Sequence, residues 1–286
     1  MRLRWLRGNR DADEYAEIVA AVAEVQAGIP PDDEAVAAAF FDLDNTVLQG
    51  ASLFYLARGL ARRDFFRTRD LLRFAIKELR YRRGAEDDAD IQQARSAALA
   101  FIADRKVQEI SHIAEEVFEE SMEENIWPGT RAISQVHLEQ GQQVWLVTAA
   151  PAEVATVFAQ RLGMTGALGT VAEHVDGFYT GRLVGDLLHG EAKAAAIRAL
   201  ASREGLQLEL CSAYSDSIND IPMLNMVGHP CAVNPDRALL AHARRHNWRI
   251  RDYRRRHRVA MLGRSALAGA LAGAAVGAAV ATRRRL

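Results

Sequence analysis

A run of apolar residues from Ala35 to Phe41 stops abruptly at the polar sequence Asp42-Leu43-Asp44-Asn45-Thr46. A short strand that is apolar on both faces needs cover on both. A parallel sheet with helices on either side provides it. The C-terminal end of such a strand opens onto the edge where open α/β sheets bind their ligands. Asp42 and Asp44 would stand at that edge.

The rest of the chain repeats a strand-then-helix pattern. Ala132 to Glu139 reads as a helix closed by Gly141, and Val144–Val147 as a strand ending at Thr148. Pro151 and Glu153 open the next helix, with Val154, Val157, Phe158 and Leu162 inward. Glycines and alternating apolar residues between Thr170 and Leu187 predict a hairpin. Glu191 to Ser202 is a predicted helix, Leu208 to Tyr214 a strand ending at Ser215-Asp216, and Ile221 to Met226 a helical turn. Pro230 to Val233 is the last predicted strand. Between Ser52 and Ile126 no strand alternation occurs, and Leu53, Leu56, Leu60, Leu71, Leu72, Ala75, Ile76 and Leu79 recur at helical spacing.

The predicted fold class is therefore α/β: a Rossmann-like parallel sheet with helices on both faces, plus an inserted all-helical cap. Residues 1–34 form a predicted helical extension. Residues 35–50 and 127–250 form the core, and 51–126 the cap. Residues 251–286 are a basic, Ala/Gly-rich apolar tail.

Parallel topology brings together residues that are far apart in the chain: Asp42 and Asp44, Thr148, Lys193, and Asp216 with Asp220. Clustered carboxylates repel and call for a cation. Oxygen-only ligands beside a phosphate favour Mg²⁺. A carboxylate can then attack phosphorus and split one displacement into two. An acid two residues on can protonate the leaving oxygen and later activate water. Thr148 and the N–H groups after it can hold phosphoryl oxygens. Each residue alone has a plainer role: Asp42, Asp44 and Thr148 as helix caps, Asp216 and Asp220 as turn residues, Lys193 as a surface charge.

These residues resemble the signature of the haloacid dehalogenase-like (HAD) superfamily. Asp42-Leu43-Asp44-Asn45-Thr46-Val47 is similar to motif I and Val144-Trp145-Leu146-Val147-Thr148 to motif II. Lys193 matches motif III, and the stretch from Tyr214 through Asp216, Asn219 and Asp220 to Leu224 is similar to motif IV. The helical insert directly after motif I is similar to the cap of the phosphoserine phosphatase-like subfamily, IB. The resemblance implies Asp42 as nucleophile and Mg²⁺ ligand, and Asp44 as general acid/base with its carbonyl on the metal. It implies Thr148, Lys193 and Asn219 on phosphate, and Asp216 and Asp220 at the metal. An acid at Asp44 favours a phosphatase or phosphotransferase. Phosphoserine enzymes of the subfamily carry a glutamate nine residues after the nucleophile, where this chain has Ala51, which points away from phosphoserine.

A formal net charge of -1 argues against a general nucleic-acid partner. Two isolated cysteines, Cys211 and Cys231, suggest buried thiols rather than a disulfide framework. The N-terminus lacks the pattern of a secretory signal, so the expected location is cytoplasmic. The uncharged stretch 265–282, with Gly269, Gly273 and Gly277 and arginines on both sides, is a candidate membrane segment. The expected activity is a Mg²⁺-dependent phosphomonoester hydrolase acting on a small molecule or, if the tail meets membrane, on a lipid phosphate. A phosphotransferase and a non-catalytic membrane adaptor are the alternatives.

Overall fold

The computed structural model describes residues 36–63 and 102–254. Eight strands occur there: β1 (Ala38–Asp42), β2 (Gln143–Pro151), β3 (Gly166–Thr170), β4 (Ala172–Val175), β5 (Phe178–Leu183), β6 (Ser212–Ser215), β7 (His229–Val233) and β8 (Arg249–Arg251). The α-helices are α1 (Ser52–Arg62), α2 (Val107–Val117), α3 (Pro128–Glu139), α4 (Ala152–Leu162), α5 (Glu191–Glu204), α6 (Ile221–Asn225) and α7 (Arg237–Arg245). Six strands form a wholly parallel sheet in the order β3-β2-β1-β6-β7-β8. β4 and β5 pair as a separate antiparallel hairpin.

Burial explains the apolar run of β1. All five of its residues are buried, because β2 and β6 flank it and helices cover both faces. Side chains alternate along it with period two. Ala39 and Phe41 enter a core with residues of α3 and α4 and of the cap helices α1 and α2. Ala38 and Phe40 enter a second core with Ile197 and Leu200 of α5, Met223 of α6 and Leu239 of α7. Phe41 stacks on Tyr214 with ring centroids 4.3 Å apart. The Tyr214 hydroxyl lies 2.7 Å from Nε2 of His137, whose Nδ1 lies 2.6 Å from Gln142 Oε1. Burial first, then the neighbouring His229, holds the His137 imidazole down to about 4, against the pull of Gln142.

The cap leaves and rejoins the core through adjacent strands of backbone. Leu48 and Ile126 form an antiparallel bridge. Gln49 N donates to Asn125 O at 2.7 Å, and Trp127 N donates to Val47 O at 2.9 Å. A second tie runs from the cap to β5. Asp104 N donates to Tyr179 O, Tyr179 N to Arg105 O and Val107 N to Gly177 O, each at 2.9 Å.

The α/β class, the parallel sheet, the 170–187 hairpin and the helices at Glu191 and Ile221 agree with expectation. Other expectations need correction. Gly166–Thr170 is a strand that the sequence reading left unassigned. Leu208–Leu210 is a 3-10 turn, and the strand there is only Ser212–Ser215. β7 is not last, since α7 and the edge strand β8 follow it. The helix expected from Ala132 starts at Pro128, where proline's fixed φ and missing N–H suit the first helical position. Cys211 and Cys231 are buried thiols outside any disulfide, as expected. The N-terminal extension, the middle of the cap (64–101) and the tail with its candidate membrane segment lie outside the described residues. Among the described residues, no helix is long and apolar enough to cross a membrane.

Candidate functional site

The expected residues reach one edge of the sheet from separate elements. Asp42 ends β1, and its register partner on β2 is Val147, so Thr148 lies one residue beyond. Lys193 is in the first turn of α5, after Gly190 at φ 53, a conformation that glycine adopts without strain. Asp216 follows β6 directly, and Asp220 ends a 3-10 turn beyond it.

Lys193, Asp42 and Asp220 meet in direct contact. Lys193 Nζ donates to Asp42 Oδ1 at 2.6 Å and to Asp220 Oδ2 at 2.9 Å. Their exposures are 4%, 7% and 2%, so little water screens the contact. Ser215 Oγ also donates to Asp220 Oδ2, at 2.6 Å. Burial opposes the charge on Lys193, yet Asp220 and Asp42 outweigh burial and raise its pKa. Burial drives the Asp42 carboxyl up to about 7, assisted by the charges of Asp220 and Asp44 and opposed by Lys193. Asp216 is pushed well above the carboxylate range by burial, then by Asp42, Asp220 and Asp44.

Asp44 sits close enough to raise both of those groups. Its Oδ1 accepts from Ser52 N, the first residue of α1, at 2.8 Å. The plainer role of helix cap is therefore realised for one of its oxygens. The turn after it is closed by Asn45, at φ 59, whose N donates to Gly50 O and whose Oδ1 accepts from Gly50 N, both at 3.2 Å. Thr148 is buried, and its Oγ1 accepts from Ala150 N at 3.3 Å. Asn219 is half-buried on the same turn as Asp220, and its N donates to Ser217 Oγ at 3.2 Å.

Ser215 and Asp236 were not singled out from the sequence. Asp236 caps α7 by accepting from Leu239 N at 2.7 Å. Its other oxygen accepts from Ile218 N at 2.9 Å, and its own N donates to Asp216 O at 2.8 Å. It thus ties the loop carrying Asp216 and Asn219 to the helix beyond β7. Its signal was the N-cap pattern before α7, a helix the sequence reading did not assign.

Among the described residues, no three acidic, histidine or cysteine side chains form a cluster able to hold a metal by themselves. The donors at this edge are nonetheless all oxygen. Four carboxyl groups, those of Asp42, Asp44, Asp216 and Asp220, face the one ammonium of Lys193, a surplus of acidic groups that adds to burial in raising Asp42 and Asp216. A hard divalent cation fits that surplus.

The family model described as haloacid dehalogenase-like hydrolase matches residues 39–225. A putative hydrolase of Mycobacterium leprae is 52% identical over 241 residues, which cover 84% of this chain and 80% of that protein. A Mycobacterium tuberculosis protein named phosphoserine phosphatase SerB1 is 51% identical over 258 residues, covering 90% of this chain and 82% of its own length. Among solved structures, a Bordetella pertussis protein of unknown function superposes with a TM-score of 0.68 at 29% identity, covering 76% of this chain and 98% of that one. The expectation of an enzyme, a phosphatase of the resembled family, agrees with these matches.

Proposed function

Because this chain belongs to the haloacid dehalogenase-like hydrolase family, we propose that it hydrolyses a small phosphomonoester through a phosphorylated Asp42. One observation carries the proposal. Asp42, Lys193 and Asp220, remote in sequence, converge in direct contact at the C-terminal edge of a parallel sheet. A family match to residues that bear this chemistry, on a relative named a phosphatase, supports the reaction class.

In the first step an Asp42 oxygen bonds to phosphorus and the ester P–O bond breaks. Asp44 gives its proton to the departing oxygen. In the second step Asp44 takes a proton from water, the water oxygen bonds to phosphorus, and the bond to Asp42 breaks. Inorganic phosphate leaves and both carboxyl groups return to their starting states. Lys193 favours the ionised form of Asp42 against burial and faces the charge of the phosphoryl group. Thr148 and Asn219 bind its oxygens, and the N–H groups after Thr148 add donors. Asp42, the Asp44 carbonyl and Asp216 would hold Mg²⁺, and Asp220 would support the site directly or through another of these groups. Bound there, the ion supplies charge neutralisation to the phosphoryl oxygens. Residues 51–126 act as the cap over a core formed by 35–50 and 127–250.

The relative's name favours phosphoserine, whereas Ala51 at the start of the cap lacks the carboxylate that would meet a serine ammonium. Phosphate release should therefore be measured on phosphoserine beside other soluble and lipid phosphomonoesters, with Mg²⁺ or with EDTA. The expected result is Mg²⁺-dependent turnover that disappears in Asp42→Asn. Equal phosphate release by that variant would end the nucleophile assignment.

A further inference from the structure

We propose that Asn234 is a positioning residue for Asp44, acting through the backbone of Asn45. The inference rests on the role given to Asp44 above. Asn234 follows β7, is fully buried and adopts φ 48. Its Nδ2 donates to Asn45 O at 2.8 Å. Its Oδ1 accepts from Tyr253 N at 2.8 Å, and its own N donates to Arg251 O at 2.6 Å. One amide thereby joins three segments: the turn after Asp44, the exit of β7 and the chain just past β8.

The geometry makes this more than packing. Asn45 is itself left-handed, and its carbonyl is the peptide oxygen one residue beyond Asp44. The Asp44 carboxylate is fixed on one side by the first N–H of α1. Asn234 fixes the main chain on the other. A half-buried carbonyl that loses its donor is left short of a partner, which favours rotation of the turn toward another one, water included. Such rotation moves Asp44 relative to the leaving oxygen. Displacement of a catalytic group by an ångström costs about 100-fold in rate.

Two substitutions separate the roles. Asn234→Asp tolerates a left-handed backbone and keeps the acceptor for Tyr253 N, but removes the donor to Asn45 O. Asn234→Gly keeps the backbone conformation and removes both bonds. The rate constants kcat and KM should be measured on an alkyl phosphate and on p-nitrophenyl phosphate. Amide hydrogen exchange should be followed at Val47 and Leu48, whose N–H groups both donate to Leu43 O.

In both variants kcat/KM, which reports the leaving-group step and not the hydrolysis common to both substrates, should fall about 10- to 100-fold on the alkyl phosphate. The fall should be smaller on p-nitrophenyl phosphate, whose leaving group needs little protonation. Exchange at Val47 and Leu48 should quicken by about tenfold while α5 is unchanged. Unaltered exchange, or equal losses on the two substrates, would overturn the clamp. Quickened exchange with unaltered kcat/KM would overturn the coupling to Asp44 alone. A parent chain inert on both substrates would remove the role of Asp44, and this proposal with it.

Discussion

Replacing Lys193 with methionine keeps the length of the side chain and removes its charge. The ammonium lies 2.6 Å from Asp42 and 2.9 Å from Asp220, and the three side chains are at most 10% exposed. Removing one member of a buried ion pair costs about 3–5 kcal/mol, because the remaining charge stays buried without a partner. Here two carboxylates lose the same partner, so the upper part of that range is expected. Against a total stability of about 5–15 kcal/mol, the loss is large but leaves many such domains folded. The chemistry should suffer separately. Asp42 is raised to about 7 with Lys193 pulling it down, so it must rise further once the ammonium is gone. Each further unit lowers the ionised fraction at neutral pH by about tenfold. Urea unfolding gives the stability loss, and a pH–rate profile should show its acid limb moved to higher pH. A double-mutant cycle with Asp42→Asn should show a coupling of about 1–3 kcal/mol. A Lys193→Met protein within 1 kcal/mol of the parent, as an order of magnitude, with an unmoved acid limb, would refute the reasoning.

The imidazole of His137 should make the fold acid-sensitive. Its folded-state pKa is about 4 against an ordinary 6.5, so the unfolded chain binds more protons between those values. Stability should therefore fall as pH drops through that window, by about 3 kcal/mol in full. Urea midpoints at pH 7.5 and 4.5 measure this, and His137→Gln should flatten the difference. Two glycines should differ in what a methyl group costs. A Cβ at Gly228 would lie 1.7 Å from the Glu209 carbonyl oxygen, so Gly228→Ala should cost about 3 kcal/mol or more. Gly177, at φ 81 in open space, should lose only about 1 kcal/mol in Gly177→Ala, through backbone strain alone. Equal urea midpoints for the two variants would contradict that difference.

How far the sequence could be read depended on how each residue's surroundings showed locally. β1 was legible because both its faces are buried, and its apolar run records that directly. β3 was not, because Gly-Ala-Leu-Gly-Thr holds no β-branched residue before its last position. Gly166 stands there because the Trp145 ring would lie 2.6 Å from its Cβ, a cross-strand requirement invisible in a local window. β8 is three residues long with arginine at both ends, so no apolar pattern marks it. In the site, Asp42, Asp44, Asp216 and Asp220 announced themselves by clustering at strand ends. Ser215 was harder to see because its function lies in a hydrogen bond to Asp220, which only the fold creates.

The bridge between Leu48 and Ile126 brings the two ends of the inserted segment side by side. Directly opposed residues of an antiparallel pair stand about 5 Å apart. The two backbones that serve the cap thus pass through a doorway no wider than a hairpin. Beyond it, α1 and α2 still reach back into the core that holds Phe41, and Asp104, Arg105 and Val107 tie to the hairpin of β4 and β5. An inserted segment anchored in this way can be exchanged only where its replacement also fills the space of α1 and α2 against Phe41 and supplies partners to Gly177 and Tyr179, so the narrow passage fixes where the insertion enters and these contacts fix how it lies.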